Sequence, residues 1–160
     1  MVDAFTRAYS SIKDKNAVLK KIHFYSLVRF SIRVIINVFL PAYFHITNLF
    51  SKCGLSGADK NDGIIVSLTT FPARIGRVWL IIECMLRQTL PPDRIILWLS
   101  AGQFNGLSSL PKSLLRLRAR GLEIRFCEGD LRSHKKYYYS VSDFPEATMI
   151  TIDDDLLYRS

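Results

Sequence analysis

The sequence predicts an α/β protein with a mostly parallel open sheet that carries helices on both faces. From residue 63 onward, short β-branched apolar runs alternate four times with segments of helical spacing, and the connections between them are short. This alternation is typical of parallel strands joined by right-handed crossover helices. The chain of 160 residues, 49% of them hydrophobic, is long enough for one domain with a substantial core.

The net charge of +8 belongs mainly to the N-terminal part of the chain. Residues 1–60 hold nine Lys or Arg against three Asp or Glu, giving +6, whereas residues 61–160 hold thirteen against eleven, giving +2. A nucleic-acid-binding domain is expected to be basic itself, so this class is disfavoured. Cys53, Cys84 and Cys127 are far apart and lack C-x-x-C spacing, which indicates reduced, buried thiols and not a disulfide framework or a zinc site.

The first fifty residues differ from the rest in composition. Four lysines precede an aromatic-rich apolar stretch at residues 24–50, and residues 51–62 form a polar, glycine-containing linker. The longest charge-free run, residues 34–50, is shorter than the ~20 apolar residues of a spanning helix. We therefore expect residues 13–50 to bind an anionic membrane surface as an interfacial helix. A helical hairpin packed on the following domain and a signal anchor remain as alternatives.

The first half of the domain carries clear strand and helix signals. Residues 63–68 are a β-branched run that ends in a Thr-Thr-Phe-Pro turn, which predicts the first strand. Apolar residues at helical spacing predict a helix over residues 75–88, which the prolines of segment 89–93 terminate. Residues 94–100 are again apolar and β-branched and predict the second strand.

The second half repeats the alternation. A proline near the start and Gly121 at the end predict a helix over residues 110–121. Residues 122–128 predict a third strand, residues 133–144 a helix and residues 148–152 a fourth strand.

Three consecutive aspartates, Asp153, Asp154 and Asp155, follow the fourth strand. Ligands of parallel open sheets bind beyond the carboxyl ends of the strands, where the strand order reverses. In a strand the first and third residues point to the same side, so we expect Asp153 and Asp155 to share one face and to hold Mn²⁺ or Mg²⁺ between them. The alternative is an acidic strand end solvated at the surface.

Four segments in order, "IIVSLTTFPARI", "LRQTLPPDRIILWLS", "LPKSL…GLEIRFCEGDLRSHKKYY" and "FPEATMITIDDDLLY", resemble the N-terminal half of a bacterial glycosyltransferase. The resemblance is to a family-2-like group of the GT-A fold that is found in capsule and surface-polysaccharide clusters, and it covers residues 62–158. It implies a metal-dependent transfer of a sugar from a nucleotide-diphospho-sugar to a glycan acceptor. Asp153 and Asp155 would then hold the metal that bridges the diphosphate.

The resemblance also implies which residues bind the nucleotide-sugar. Thr70 and its neighbours would shape the loop beside the nucleobase and ribose, and the lysines would contact the diphosphate. The predicted set is Thr69, Thr70, Pro72, Arg74, Asp130, Lys135, Lys136 and Asp154.

In the resembled enzymes the general base and the acceptor pocket come after the D-x-D strand, where this chain has only "LLYRS". Residues 63–160 are therefore expected to be a truncated donor-binding half with an exposed sheet edge that favours association. The expected location is the cytoplasm, peripheral to the inner face of the plasma membrane. Two alternatives stay open: a catalytically incomplete membrane-surface interaction protein, and a metal-dependent nucleotidyltransferase.

Overall fold

The computed structural model describes residues 2–12, 23–48, 54–55, 63–129 and 131–158. The chain forms two compact units, one within Met1–Lys52 and one spanning Cys53–Tyr158. Several features named above lie outside the described residues: Asp130, Cys53, the four N-terminal lysines and most of the predicted linker 51–62.

Two helices that contact each other lie in the described part of the N-terminal unit, α1 (Val2–Ser11) and α2 (Phe24–Thr47). The predicted apolar helix is confirmed, and it ends at Thr47. Among the described helices, α2 is long and apolar enough to cross a membrane, judged by length and composition alone.

The second unit contains a four-stranded sheet, made of β1 (Ile64–Thr69), β2 (Arg94–Ser100), β3 (Leu122–Cys127) and β4 (Thr148–Thr151). The strand order is β3-β2-β1-β4, and all three neighbouring pairs are parallel. The predicted α/β class with a parallel sheet is therefore confirmed. The apolar runs of β1 and β2 are buried in the middle of the sheet, whereas β4 is a largely exposed edge strand.

Three helices connect the strands: α3 (Val78–Met85), α4 (Lys112–Leu115) and α5 (Lys135–Asp143). The predicted helix over residues 110–121 is only partly α-helical, because a 3₁₀ turn at Arg116–Arg120 follows the single α-turn of α4. Such tightening is common where a short helix ends. Gly121 then ends the helix with a left-handed φ of 102°, which is the C-terminal role expected of it.

Helix α5 covers one face of the sheet. Its Ser140 is fully buried and accepts a hydrogen bond from Trp98 Nε1 at 2.6 Å, and its hydroxyl lies 2.8 Å from that of Ser67 on β1. Side chains alternate along a strand, so Val66 and Leu97 point to the opposite face, where both are also buried. Helices α3 and α4 contact each other, and the crossover rule places them on that opposite face.

A charged cluster joins β3 to its neighbours on the α5 face. Glu123 pairs with Arg94 at 2.7 Å and with Arg125 at 2.8 Å, and both guanidinium groups lie over the ring of Phe144. Burial alone would raise the pKa of Glu123, but the hydrogen bonds from the two arginines outweigh it and lower the pKa below its ordinary value of 4.5. The cluster therefore needs an ionised carboxylate at position 123.

The order of the strands fixes where a ligand site is expected. The chain steps from β1 outward to β2 and β3, and then returns past β1 to place β4 on its other side. The direction of winding therefore reverses between β1 and β4. In parallel open sheets, the crevice beyond the carboxyl ends of these two strands is the usual ligand site.

Candidate functional site

A cavity of about 580 Å³ opens at the carboxyl ends of β1 and β4, where the winding reverses. Its volume lies within the range of small-molecule sites, which is about 300–1,000 Å³. Four basic and three acidic side chains line it together with apolar and hydroxyl groups. The lining residues are Thr69, Thr70, Phe71, Arg74, Gln103, Arg132, Ser133, Lys135, Lys136, Ile152, Asp153, Asp154 and Asp155.

The loop after β1 supplies one wall. Thr69 donates a hydrogen bond to the carbonyl oxygen of Trp98 at 2.8 Å, which holds the strand end against β2. Thr70 is buried and its hydroxyl donates to Asp154 Oδ2 at 2.6 Å. Phe71 is exposed, and the guanidinium of Arg74 lies 5.0 Å from the centre of its ring. The end of β1 and the loop after it thus supply two hydroxyls and one of the four cations at this edge.

The aspartates do not continue the strand. β4 ends at Thr151, and Asp154 and Asp155 lie in a turn. Arg74 Nη1 contacts both carboxylates of that turn, Asp154 Oδ1 at 2.8 Å and Asp155 Oδ2 at 2.9 Å. The extended backbone on which the prediction of a shared face for Asp153 and Asp155 was based ends before the turn, where Asp154 and Asp155 share a cation. The hydrogen bond and the charge of Asp154 raise the pKa of the Arg74 guanidinium.

Asp153 has a different cationic partner. Its Oδ1 accepts from Lys136 Nζ at 2.6 Å, and its backbone N–H donates to the Tyr158 hydroxyl at 2.9 Å. The side chains of Asp153 and Asp155 are 57% and 51% exposed, whereas that of Asp154 is only 10% exposed. The outer two carboxylates are thus accessible to a ligand, and the middle one is an anchor for the turn.

The start of α5 and the turn before it supply further lining residues. Lys135 is buried, and the backbone carbonyl of Lys136 accepts a hydrogen bond from the Ser67 hydroxyl of β1. Arg132 lies in the preceding 3₁₀ turn and has a positive φ of 50°. Positive φ is uncommon outside glycine, and such residues concentrate at functional sites. The first residues of α5 are therefore fixed to the sheet at the edge of the cavity.

The donor set fits a hard divalent cation held by few protein ligands. Mg²⁺ and Mn²⁺ prefer oxygen donors, and Mg²⁺ commonly takes one or two carboxylates and completes its shell with water and phosphate oxygens. Within the described residues, no three His, Cys, Asp or Glu side chains are grouped as one metal site. Asp153 and Asp155 are the exposed carboxylates available to such an ion, and each is ion-paired to a basic side chain.

Most of the predicted site residues come together in this cavity. Pro72 is exposed and is not among the lining residues, and Asp130 lies outside the described part of the chain. Sequence reasoning missed five lining residues: Phe71, Gln103, Arg132, Ser133 and Ile152. Gln103 could have been found, because it follows β2 by three residues and so lies at the same edge of the sheet.

No family model, curated protein or solved structure matches the chain. A parallel sheet with this order of strands supports many unrelated activities, so the fold alone assigns none. Function is therefore inferred from the cavity and its side chains.

Proposed function

We propose that this chain binds a nucleotide-diphospho-sugar together with Mn²⁺ or Mg²⁺, as the donor-binding part of a GT-A-type glycosyltransferase. The observation that carries the proposal is the cavity at the winding reversal, where basic side chains face the aspartate turn. Four segments of the sequence also resemble enzymes of this class. We assign no general base among the described residues, so the proposal concerns donor binding first and transfer second.

The mixture of charges favours a particular kind of ligand. A lone anion would be repelled by the three aspartates, and a lone cation would be repelled by the basic residues that include Arg132, Lys135 and Lys136. A diphosphate that carries a divalent cation presents both signs at once. Its phosphate oxygens suit the basic wall, and its cation suits the exposed carboxylates of Asp153 and Asp155.

The backbone supports the same assignment. The N-terminus of α5 lies at the cavity, where Lys135 is the first helical residue. Helix N-termini attract phosphate because the helix dipole is positive there. The exposed ring of Phe71, which also lines the cavity, offers an apolar surface for a nucleobase.

Different residues of the cavity would have different roles in donor binding. Thr70 and Arg74 hold Asp154 and so fix the turn that presents Asp153 and Asp155. Lys136 and its neighbours would orient the diphosphate. When bound, the cation would stabilise the negative charge that develops on the leaving diphosphate.

Calorimetric titration of the purified chain with UDP and GDP, with and without Mn²⁺, tests the proposal. We expect binding that depends on Mn²⁺ and that the Asp153→Asn/Asp155→Asn variant loses. The matched control is Glu128→Gln/Glu146→Gln, which removes the same charge at exposed positions outside the cavity lining. This control should bind as the unchanged chain does.

Three results would contradict the proposal. A folded chain could bind neither nucleotide with Mn²⁺ present, or it could bind equally well after both aspartates are replaced. The third is a preference for a nucleoside triphosphate over the nucleotide-sugar, with release of pyrophosphate. That result would indicate a nucleotidyltransferase.

A further inference from the structure

Helix α2 presents an apolar surface along one half of its circumference. At 100° per residue, all eight of its exposed large apolar side chains fall within the same 180° arc, although they span the whole helix. They are Phe24, Leu27, Phe30, Val34, Ile35, Val38, Phe39 and Ile46. Ser31 and His45 are exposed polar side chains within this arc, which we call the outer arc.

The other half of α2 is partly covered. Arg29 Nη2 donates to the carbonyl oxygen of Ile12 at 3.0 Å, and Arg33 Nη2 donates to the hydroxyl of Tyr9 at 2.6 Å, with its guanidinium 5.4 Å from the tyrosine ring centre. Leu40, further along the same half, is buried. The arginines therefore lie away from the outer arc, and α1 holds them there.

We propose that the outer arc of α2 binds an anionic lipid surface, with the helix lying in the plane of the membrane interface. The N-terminal part of the chain has a charge of +6 over residues 1–60, and α2 contains no acidic residue. Basic charge next to an apolar helix face is the combination that binds anionic membranes, since each Lys or Arg adds about 1 kcal/mol near such a surface. This site is independent of the nucleotide cavity.

The distribution of side chains favours an in-plane helix over a spanning one. A helix that spans a bilayer alone meets hydrocarbon on all sides, so its polar groups are costly wherever they point. In α2 the large apolar side chains that are exposed lie on one side, and Arg29 and Arg33 lie on the other, together with the buried Leu40 and Phe44. Segregation of this kind is typical of helices half-immersed in the interface.

Vesicle sedimentation of the full chain measures the proposed binding. We expect binding to phosphatidylcholine–phosphatidylglycerol vesicles that weakens with salt and with removal of the phosphatidylglycerol. Replacing Leu27 and Val38, each 63% exposed, by Gln should weaken binding about tenfold per residue. The control Leu90→Gln/Val141→Gln removes comparably exposed apolar side chains (73% and 52%) from the second unit and should bind as before.

Depth measurements separate the two orientations. Spin labels at position 27 or 38 can be introduced in a Cys53→Ser background, because Cys84 and Cys127 are buried. The two labelled positions are both on the outer arc but about 16 Å apart along the axis at 1.5 Å per residue. An in-plane helix places both labels at the same shallow depth.

The following outcomes would each contradict the proposal. Absence of vesicle binding by the folded chain, or equal loss in the control variant, would remove the lipid surface as the partner. A label at position 38 that lies much deeper than the label at 27 would indicate a spanning helix. Self-association without vesicles that Leu27→Gln/Val38→Gln abolishes would identify a second copy of the chain as the occupant of the outer arc.

Discussion

The hydrogen bond from Thr70 to Asp154 links the loop after β1 to the aspartate turn, and its removal has a calculable cost. Thr70 is buried, the Asp154 side chain is 10% exposed, and the two oxygens are 2.6 Å apart. A hydrogen bond to a charged group contributes about 1.5–3 kcal/mol. Because Arg74 keeps its own bond to the same carboxylate, we expect Thr70→Val to lower the free energy of unfolding by about 1.5–2 kcal/mol.

Urea denaturation followed by tryptophan fluorescence measures this loss. Both tryptophans, Trp79 and Trp98, lie in the second unit, so the signal reports on the sheet that carries the cavity. With a denaturant slope of about 2 kcal/mol/M, the urea midpoint should fall by about 1 M. The slope itself should not change, since the substitution alters one contact and not the surface exposed on unfolding.

Thr151→Val is the matched control, because Thr151 is an exposed threonine at the end of β4. Its effect should stay within about 0.5 kcal/mol. Equal midpoints for Thr70→Val and the unchanged chain would refute the reasoning, because Asp154 would then not depend on this bond. A loss of the same size in Thr151→Val would assign the effect to the loss of any threonine hydroxyl near β4.

Three further predictions concern the packing of the sheet and its helices. Ser140→Ala should cost about 1–3 kcal/mol in urea denaturation, because it leaves the buried indole N–H of Trp98 without its acceptor. Glu123→Gln should lower stability at pH 7. That difference should vanish as the pH falls below about 4.5, because stability from a lowered carboxylate pKa is lost on protonation. Gly121→Ala should lower the melting temperature, because φ at this position is 102° and the added methyl group would overlap the side chain of Leu55. Gly76→Ala is the control: there is open space at its Cβ, so the melting temperature should not fall.

The sequence predicted the parallel sheet because each strand is a short apolar run that differs in period from the segments around it. The interior strands have to be buried on both faces, and only continuous apolar runs such as β1 and β2 satisfy that requirement. The location of the candidate site was predicted from the same alternation of strands and helices, because the loops after parallel strands meet at one end of the sheet.

Two features could not be predicted from local pattern. The first is the turn at Asp154 and Asp155. The end of β4 was predicted to within one residue, at residue 152 where the strand ends at Thr151, but no residue in "TMITIDDD" is a strand breaker of the kind that proline is, so the turn has no local signal. The partners of the aspartates are distant in sequence, since Arg74 precedes Asp154 by eighty residues. Which cation meets which carboxylate is therefore decided by tertiary packing alone.

The pairing of every aspartate with a basic side chain has a consequence for the proposed donor site. Three adjacent carboxylates repel one another, and Arg74 and Lys136 offset that repulsion in the structure. A divalent cation at Asp153 and Asp155 would compete with Lys136 for Asp153 and with Arg74 for Asp155, while Arg74 would keep its bond to Asp154. The two basic side chains would then be more available to the phosphate groups of a ligand. Metal and diphosphate would therefore each favour binding of the other, a coupling that is reciprocal by thermodynamic necessity. We therefore expect Mn²⁺ alone to bind weakly, and UDP or GDP to increase the affinity of the chain for Mn²⁺.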